Sequence, residues 1–216
     1  MWNTAKQIAY NVEAIDELAQ NQPGWTIDPS RVALLVHDMQ YYFLSRFAAD
    51  TEPMRSLKRN VERLVKSARA CGANVFYTAQ PGSMTPSQRG LLSAFWGEGM
   101  TATPEHRAVW DPISPQGEDE LVTKWRYSAF FGNDLSSRLK TQKVSQVVIV
   151  GIYGHVGILG TAMDSYCRDY ETFIVGDAIA DFSIQEHIRT LEQAGSTCAA
   201  VVSAEAVVSA LGQARN

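Results

Sequence analysis

The chain has 216 residues, 45% of them hydrophobic and 19% charged, enough apolar material to bury roughly 70% of the unfolded surface without staples. Its 19 basic and 23 acidic residues leave a net charge of −4, which argues against a nucleic-acid binder, and the apolar content excludes general disorder. Three cysteines with no CxxC spacing (Cys71, Cys167 and Cys198) argue against a disulfide scaffold or zinc site and fit reduced thiols in the cytoplasm.

Residues 1–30 carry Glu13, Asp16 and Glu17 among apolar positions, unlike an export signal. They are expected to form an N-terminal extension packed on one domain spanning residues 1–216. No apolar run approaches the length of a membrane span. Val32–Val36 is continuously apolar, as a strand buried on both faces must be. Pro53–Cys71 repeats apolar residues at Leu57, Val61, Leu64, Val65 and Ala68, a helical stripe. Asn74–Tyr77 reads as the second strand. Thr85-Pro86-Ser87-Gln88 is a capping box with proline at the first helical position. Gly97–Gln116, rich in Gly, Pro and polar residues, reads as a long surface excursion of the kind that forms lids or substrate walls.

Leu121–Thr123 and Gln146–Val150 are the next two predicted strands. A helix over Val156–Tyr170 follows, with apolar positions at Val156, Leu159, Met163, Tyr166 and Tyr170. Thr172–Val175 and Ala199–Ser203 complete six strands. Between them Ser183-Ile184-Gln185-Glu186 has the form of a second capping box and opens a helix over Ile184–Gly195. Strands alternating with helices predict an α/β fold: a six-stranded, mostly parallel sheet with helices on both faces.

Ligands of such sheets bind beyond the carboxyl ends of the strands, so the residues that follow each strand are the place to look for chemistry. Asp38 follows the first apolar run directly and sits at the rim of a dry interior, where burial and a neighbouring cation act in opposite directions on its protonation; the alternative is an aspartate that caps the next turn. Gln80 follows the second strand. Lys124 ends the third, either as a catalytic cation or with its ammonium reaching out to solvent. The aromatic and cationic neighbours Trp125-Arg126-Tyr127 favour an anionic ligand. Gly151-Ile152-Tyr153-Gly154-His155-Val156-Gly157 opens a helix and is either an anion-binding start, with unpaired N–H groups, or a tight turn; its glycines do not form a dinucleotide fingerprint. Arg89, with Gln80, suits a carboxylate, or else lies on a solvated helix face. His37, His106, His155 and His187 have no metal-ligand spacing, so no metal is expected, and no GxSxG elbow is present.

These segments resemble the isochorismatase family of the cysteine-hydrolase-like superfamily. The resemblance runs in family order through residues 34–43, 77–85, 88–92, 95–97, 123–131, 151–157 and 177–183. It implies an isochorismatase-like, Rossmann-like three-layer fold. The pattern is most similar to the phenazine-pathway branch that acts on 2-amino-2-deoxyisochorismate, and similar also to siderophore-pathway isochorismatases.

Amidases of the superfamily use an Asp, Lys and Cys triad; the position matching that cysteine is Gly157, so thioester chemistry is excluded. Cys167 lies about 15 Å further along the helix. The resemblance therefore implies acid catalysis of vinyl-ether hydrolysis without cofactor or covalent intermediate. Asp38 is the implied proton donor and Lys124 the cation that holds it. The N–H of Gly157, with Tyr153, Gln80 and Arg89, would bind the carboxylates of a chorismate-derived substrate. Phe43, Trp96, Trp125 and Tyr127 would be apolar walls. The resemblance also implies a cis Ile152–Tyr153 bond, a homodimer and a cytoplasmic location. Gly154, where similar proteins have alanine, is expected to widen the pocket or loosen the turn. The chain ends at Asn216 with no room for a fused carrier domain, which favours the phenazine-like branch. A non-catalytic relative that binds chorismate derivatives is the remaining alternative; a nucleotide-binding protein would need a glycine loop where His37-Asp38-Met39-Gln40 stands.

Overall fold

The computed structural model describes residues 7–11 and 21–212. In chain order its elements are β1 (Val32–His37), α1 (Tyr41–Leu44), α2 (Met54–Cys71), β2 (Asn74–Ala79), α3 (Pro86–Arg89), α4 (Leu92–Trp96), α5 (Pro104–Arg107), β3 (Glu120–Thr123), α6 (Leu135–Thr141), β4 (Gln146–Ile152), α7 (Leu159–Tyr166), β5 (Glu171–Ala180), α8 (Ile184–Thr197), β6 (Ala200–Val202) and α9 (Ala204–Gly212). The strands form one sheet in the order β3-β2-β1-β4-β5-β6, and every pair is parallel. The chain winds outward from β1 to one edge, returns, and winds from β4 to the other. The reversal leaves a crevice between the carboxyl ends of β1 and β4, where such sheets bind their ligands.

Side-chain alternation divides the interior into two cores. Val32, Leu34 and Val36 of β1 pack with Leu57, Val61 and Leu64 of α2 and with Val207 and Leu211 of α9. Ala33 and Leu35 face the other way, against Leu135 and Leu139 of α6, Ile158, Ala162 of α7 and Leu191 of α8. By the same alternation His37 falls on the α7 side. The α2 stripe predicted from the sequence is the buried one. The helix ends at Gly72, whose φ of +77° suits glycine in a Schellman cap: the Ala73 N–H donates to the Ala68 carbonyl and the Gly72 N–H to that of Arg69.

Three expectations need correction. β5 runs to Ala180 rather than Val175, because it continues past a register shift between Ile149 and Gly151 of β4. The predicted helix over Val156–Tyr170 begins instead with a π-helical turn over Gly154–Ile158, and α7 stops at Tyr166. Gly97–Gln116 is not simply surface: Met100, Val109 and Ile113 are buried. α6 and α9, two short amphipathic segments, were absent from the sequence reading. At residues 7–11 and 21–30, Ile8, Trp25 and Ile27 pack on the first core; residues 1–6 and 12–20 lie outside the described residues. No described helix is long and apolar enough to cross a membrane.

The joint between β5, α2 and α9 rests on Asp177. Its Oδ1 accepts from the Ala204 N–H at the start of α9 at 2.7 Å, and buried Asn60 of α2 donates to its Oδ2 at 2.9 Å. Asp177→Ala is expected to lower unfolding free energy by about 1–3 kcal/mol in urea titrations; a loss below about 0.5 kcal/mol would show that the joint is not stabilising.

Candidate active site

The first strand delivers its carboxylate by breaking its own geometry. Asp38 follows β1 with φ +51°, a left-handed conformation that aspartate adopts more readily than bulkier residues. The turn leaves Asp38 5% exposed. Thr78, opposite His37 in the β1–β2 register, completes a small ring: its Oγ1 donates to Asp38 Oδ1 at 2.6 Å and accepts from the Asp38 N–H at 3.1 Å. The other oxygen, Oδ2, accepts from Lys124 Nζ at 2.9 Å. Lys124 follows β3, two strands from β1, so its stem crosses the end of β2, a span of about 10 Å between strand axes that suits a long side chain. The ammonium is 2% exposed as part of its residue, so it does not reach out to solvent.

A cleft lies over this pair. Asp38, Lys124, Gly157, Gln80, Arg89, Tyr153, Phe43, Trp96 and Tyr127 all line it. Trp125 does not. Its indole instead stands near the turn at Gly132.

Arg89 supplies the second cation. The capping box of Thr85 is complete in both directions and fixes α3, which ends at Arg89. The guanidinium is buried, and burial pushes its pKa down, yet an arginine stays charged. Its partners are the carbonyls of Gly97 at 2.8 Å and Trp96 at 3.2 Å, with Gln80 Oε1 at 3.5 Å. Among the described residues no carboxylate lies within ion-pair distance of it, so the cleft presents a positive charge not yet neutralised. The backbone of Gln80 is held by Gln40, fully buried, whose Oε1 accepts from the Gln80 N–H at 2.8 Å and whose amide donates to the Gln80 carbonyl at 3.0 Å.

The helix start after β4 is built differently from expectation. The Ile152–Tyr153 bond is cis, as the resemblance implied. The Gly157 N–H, however, donates to the Tyr153 carbonyl at 3.0 Å, and those of Val156 and Ile158 go to the same oxygen. The His155 N–H donates to Asp181 Oδ2 at 2.6 Å, so a buried aspartate already occupies the position foreseen for an anionic ligand. Tyr153 lines the cleft with its ring while its hydroxyl donates to the Phe43 carbonyl at 2.9 Å. Its role as a carboxylate donor is therefore not seen in this structure. Gly154 is not among the residues that line the cleft, and a methyl group there would lie 2.6 Å from Asp181 Oδ2, so glycine does not widen the pocket. Cys167 is exposed at the far end of α7.

Sequence reasoning passed over four residues that the cleft uses. Thr78, Gln40, Tyr42 and His37 hold or line it. A polar residue ending an otherwise buried strand was the available signal for Thr78 and His37.

The isochorismatase domain pattern matches residues 32–206. The chain belongs to the isochorismatase family. This isochorismatase-family hydrolase is 46% identical over 201 residues to the phenazine biosynthesis protein PhzD1 of Pseudomonas aeruginosa, a match covering 93% of this chain and 96% of that one. It is 38% identical over 205 residues to the isochorismatase of Bacillus subtilis, covering 95% of this chain and 66% of that protein. Its fold matches a cysteine hydrolase from Pseudomonas syringae pv. phaseolicola with TM-score 0.79 at 22% identity, covering 91% and 98% of the two chains.

Burial pushes the His37 imidazole down from the ordinary 6.5 to about 4 and lowers His187 as well, whereas its hydrogen bond to Asp181 raises His155. Below the ordinary value the unfolded chain takes up protons that folded His37 and His187 refuse, so their effect is nil above about 6.5 and destabilising as pH falls toward 4. His155 acts in the opposite sense, stabilising at low pH and losing that contribution as pH rises through its folded value. Urea titrations at about pH 7 and pH 5 are expected to show a smaller loss of stability in His37→Gln than in wild type; equal losses would contradict a neutral, buried imidazole.

Proposed function

We propose that this protein hydrolyses the enolpyruvyl vinyl ether of 2-amino-2-deoxyisochorismate or isochorismate, releasing pyruvate and the trans-dihydro ring acid. The observation that carries this reading is the buried Asp38–Lys124 pair at the floor of a cationic cleft with no side chain at position 157. The enol ether is electron-rich at its methylene carbon, and the difficult step is delivery of a proton to that carbon. Asp38 then gives its proton to the methylene carbon, the ether oxygen shares the positive charge, and the new carboxylate stabilises that oxocarbenium ion. Water adds to the cationic carbon and returns a proton to Asp38. The hemiketal collapses by breaking the bond between that carbon and the ring oxygen, which leaves as a hydroxyl. Proton and water suffice, so the chemistry needs no cofactor.

In this reading Lys124 and Thr78 aim Asp38, and Arg89 with the Gln80 side chain receives a substrate carboxylate. Phe43, Trp96 and Tyr127 exclude bulk water. The name of the Pseudomonas aeruginosa relative, a phenazine biosynthesis protein, supports a role in phenazine-type biosynthesis. We also take residues 1–216 as one hydrolase domain, with residues 1–30 an extension on it, acting as a homodimer in the cytoplasm.

The test is release of pyruvate from each substrate, followed by a coupled dehydrogenase assay. Asp38→Asn is expected to lower turnover at least about 100-fold with unchanged circular dichroism. If wild-type protein yields no pyruvate from either compound, the reading fails. Arg89→Ala is expected to raise KM about tenfold or more, as loss of a charge-assisted carboxylate contact would, with a smaller effect on kcat. An unchanged KM would remove Arg89 from the substrate site.

A further inference from the structure

Gly157 is glycine for a reason the backbone does not supply. Its φ lies outside the left-handed range, and its N–H is bonded within its own turn. What a side chain would meet is His37: a Cβ built on Gly157 stands 2.2 Å from His37 Cε1, 2.9 Å from Nε2 and 3.2 Å from Nδ1. Such a separation is far inside contact distance, and the obstacle is a ring rather than the loose end of a flexible chain.

The ring has nowhere to go. His37 is fully buried and its Nδ1 is 2.8 Å from the Ile152 carbonyl. A carbonyl accepts, so Nδ1 carries the hydrogen and the neutral ring leaves Nε2 as a bare lone pair. Nε2 has no partner at full hydrogen-bond geometry among the described residues, although the Tyr127 backbone carbonyl acts on the ring as a further acceptor. An apolar side chain could fill the same space but would leave the Ile152 carbonyl without this donor. The ring lines the cleft floor, with Nδ1 3.9 Å from Asp38 Oδ2.

We propose that His37 sets the reaction class of this cleft: its imidazole stands in the volume that a side chain at position 157 would enter, and so keeps a nucleophile off the floor beside Asp38. His37 is a positioning residue, acting through the shape it imposes at Gly157. The consequence for chemistry rests on the acid-catalysis reading above, while the steric relation stands without it. Cysteine or serine at 157 overpacks the folded site as long as the ring is present, and the cleft is left with proton transfer from Asp38.

A two-residue cycle tests this by thermal denaturation. Gly157→Ala alone is expected to lower Tm by about 5 °C or more, as overpacking against a fixed ring does. In the double variant His37→Ala/Gly157→Ala, at least half of the summed loss of the two single variants should be recovered. Strictly additive losses, or a double variant that fails to fold where Gly157→Ala folds, would overturn the proposal.

The second readout is chemical. In a Cys167→Ser background, which removes the exposed native thiol, Gly157→Cys is compared with His37→Ala/Gly157→Cys for reaction with 5,5′-dithiobis(2-nitrobenzoic acid). The added thiol is expected to react about tenfold faster or more once the ring is gone, and folding of the double variant alone would also support the proposal. Equal rates would overturn it. Neither readout needs a substrate, so their failure is distinct from a failure of pyruvate release.

Discussion

The contact on which the site depends is the buried pair of Asp38 and Lys124, 2.9 Å apart. Removing two charges from water is costly, and attraction in a dry interior offsets that only when the remaining hydrogen-bonding positions are filled. Thr78 fills one on Asp38 Oδ1. The pair is therefore better understood as a device for placing an acid than as a source of stability. Each partner comes from a different strand end, so their meeting requires β1, β2 and β3 in register. Any slip would leave a buried charge alone.

The same placement explains how two consecutive residues serve opposite surfaces. Alternation along β1 sends His37 toward α7, and the left-handed backbone at Asp38 turns the next side chain along the crevice. One fills the floor under Gly157 and the other lies at its edge. Across the crevice the helix start after β4 is closed by its own hydrogen bonds and by Asp181. In the proposed reading anion recognition falls instead to Arg89, which among the described residues is held by neutral oxygens. A buried guanidinium without a carboxylate partner prefers an anionic ligand, because that ligand supplies the missing counter-charge.

The cleft also shows why local patterns mislead at a helix start. The glycines at 151, 154 and 157 look like a phosphate cradle when read as a string. In the fold, Gly154 yields to Asp181 and Gly157 to His37, residues 27 positions later and 120 earlier in the chain. Neither requirement is local. Trp125 is a simpler case: an aromatic beside Lys124 was expected on the cleft wall, and its indole stands near Gly132 instead.

The sequence alone determined the α/β class and six strand positions, since continuous apolar runs and a 3.6-residue stripe are properties of the chain itself. It also determined which groups follow the strands, and so named Asp38, Gln80 and Lys124 without coordinates, while Arg89 was named for the fit of a guanidinium to a carboxylate. The tertiary structure decided what those groups meet: that Lys124 spans two strands to Asp38, that Tyr153 and the Gly157 N–H are already bonded, and that His37 occupies the space a side chain at Gly157 would need. The order of strands in the sheet and the close approach of atoms far apart in the chain arise only when the chain packs, so no reading of spacing or composition contains them.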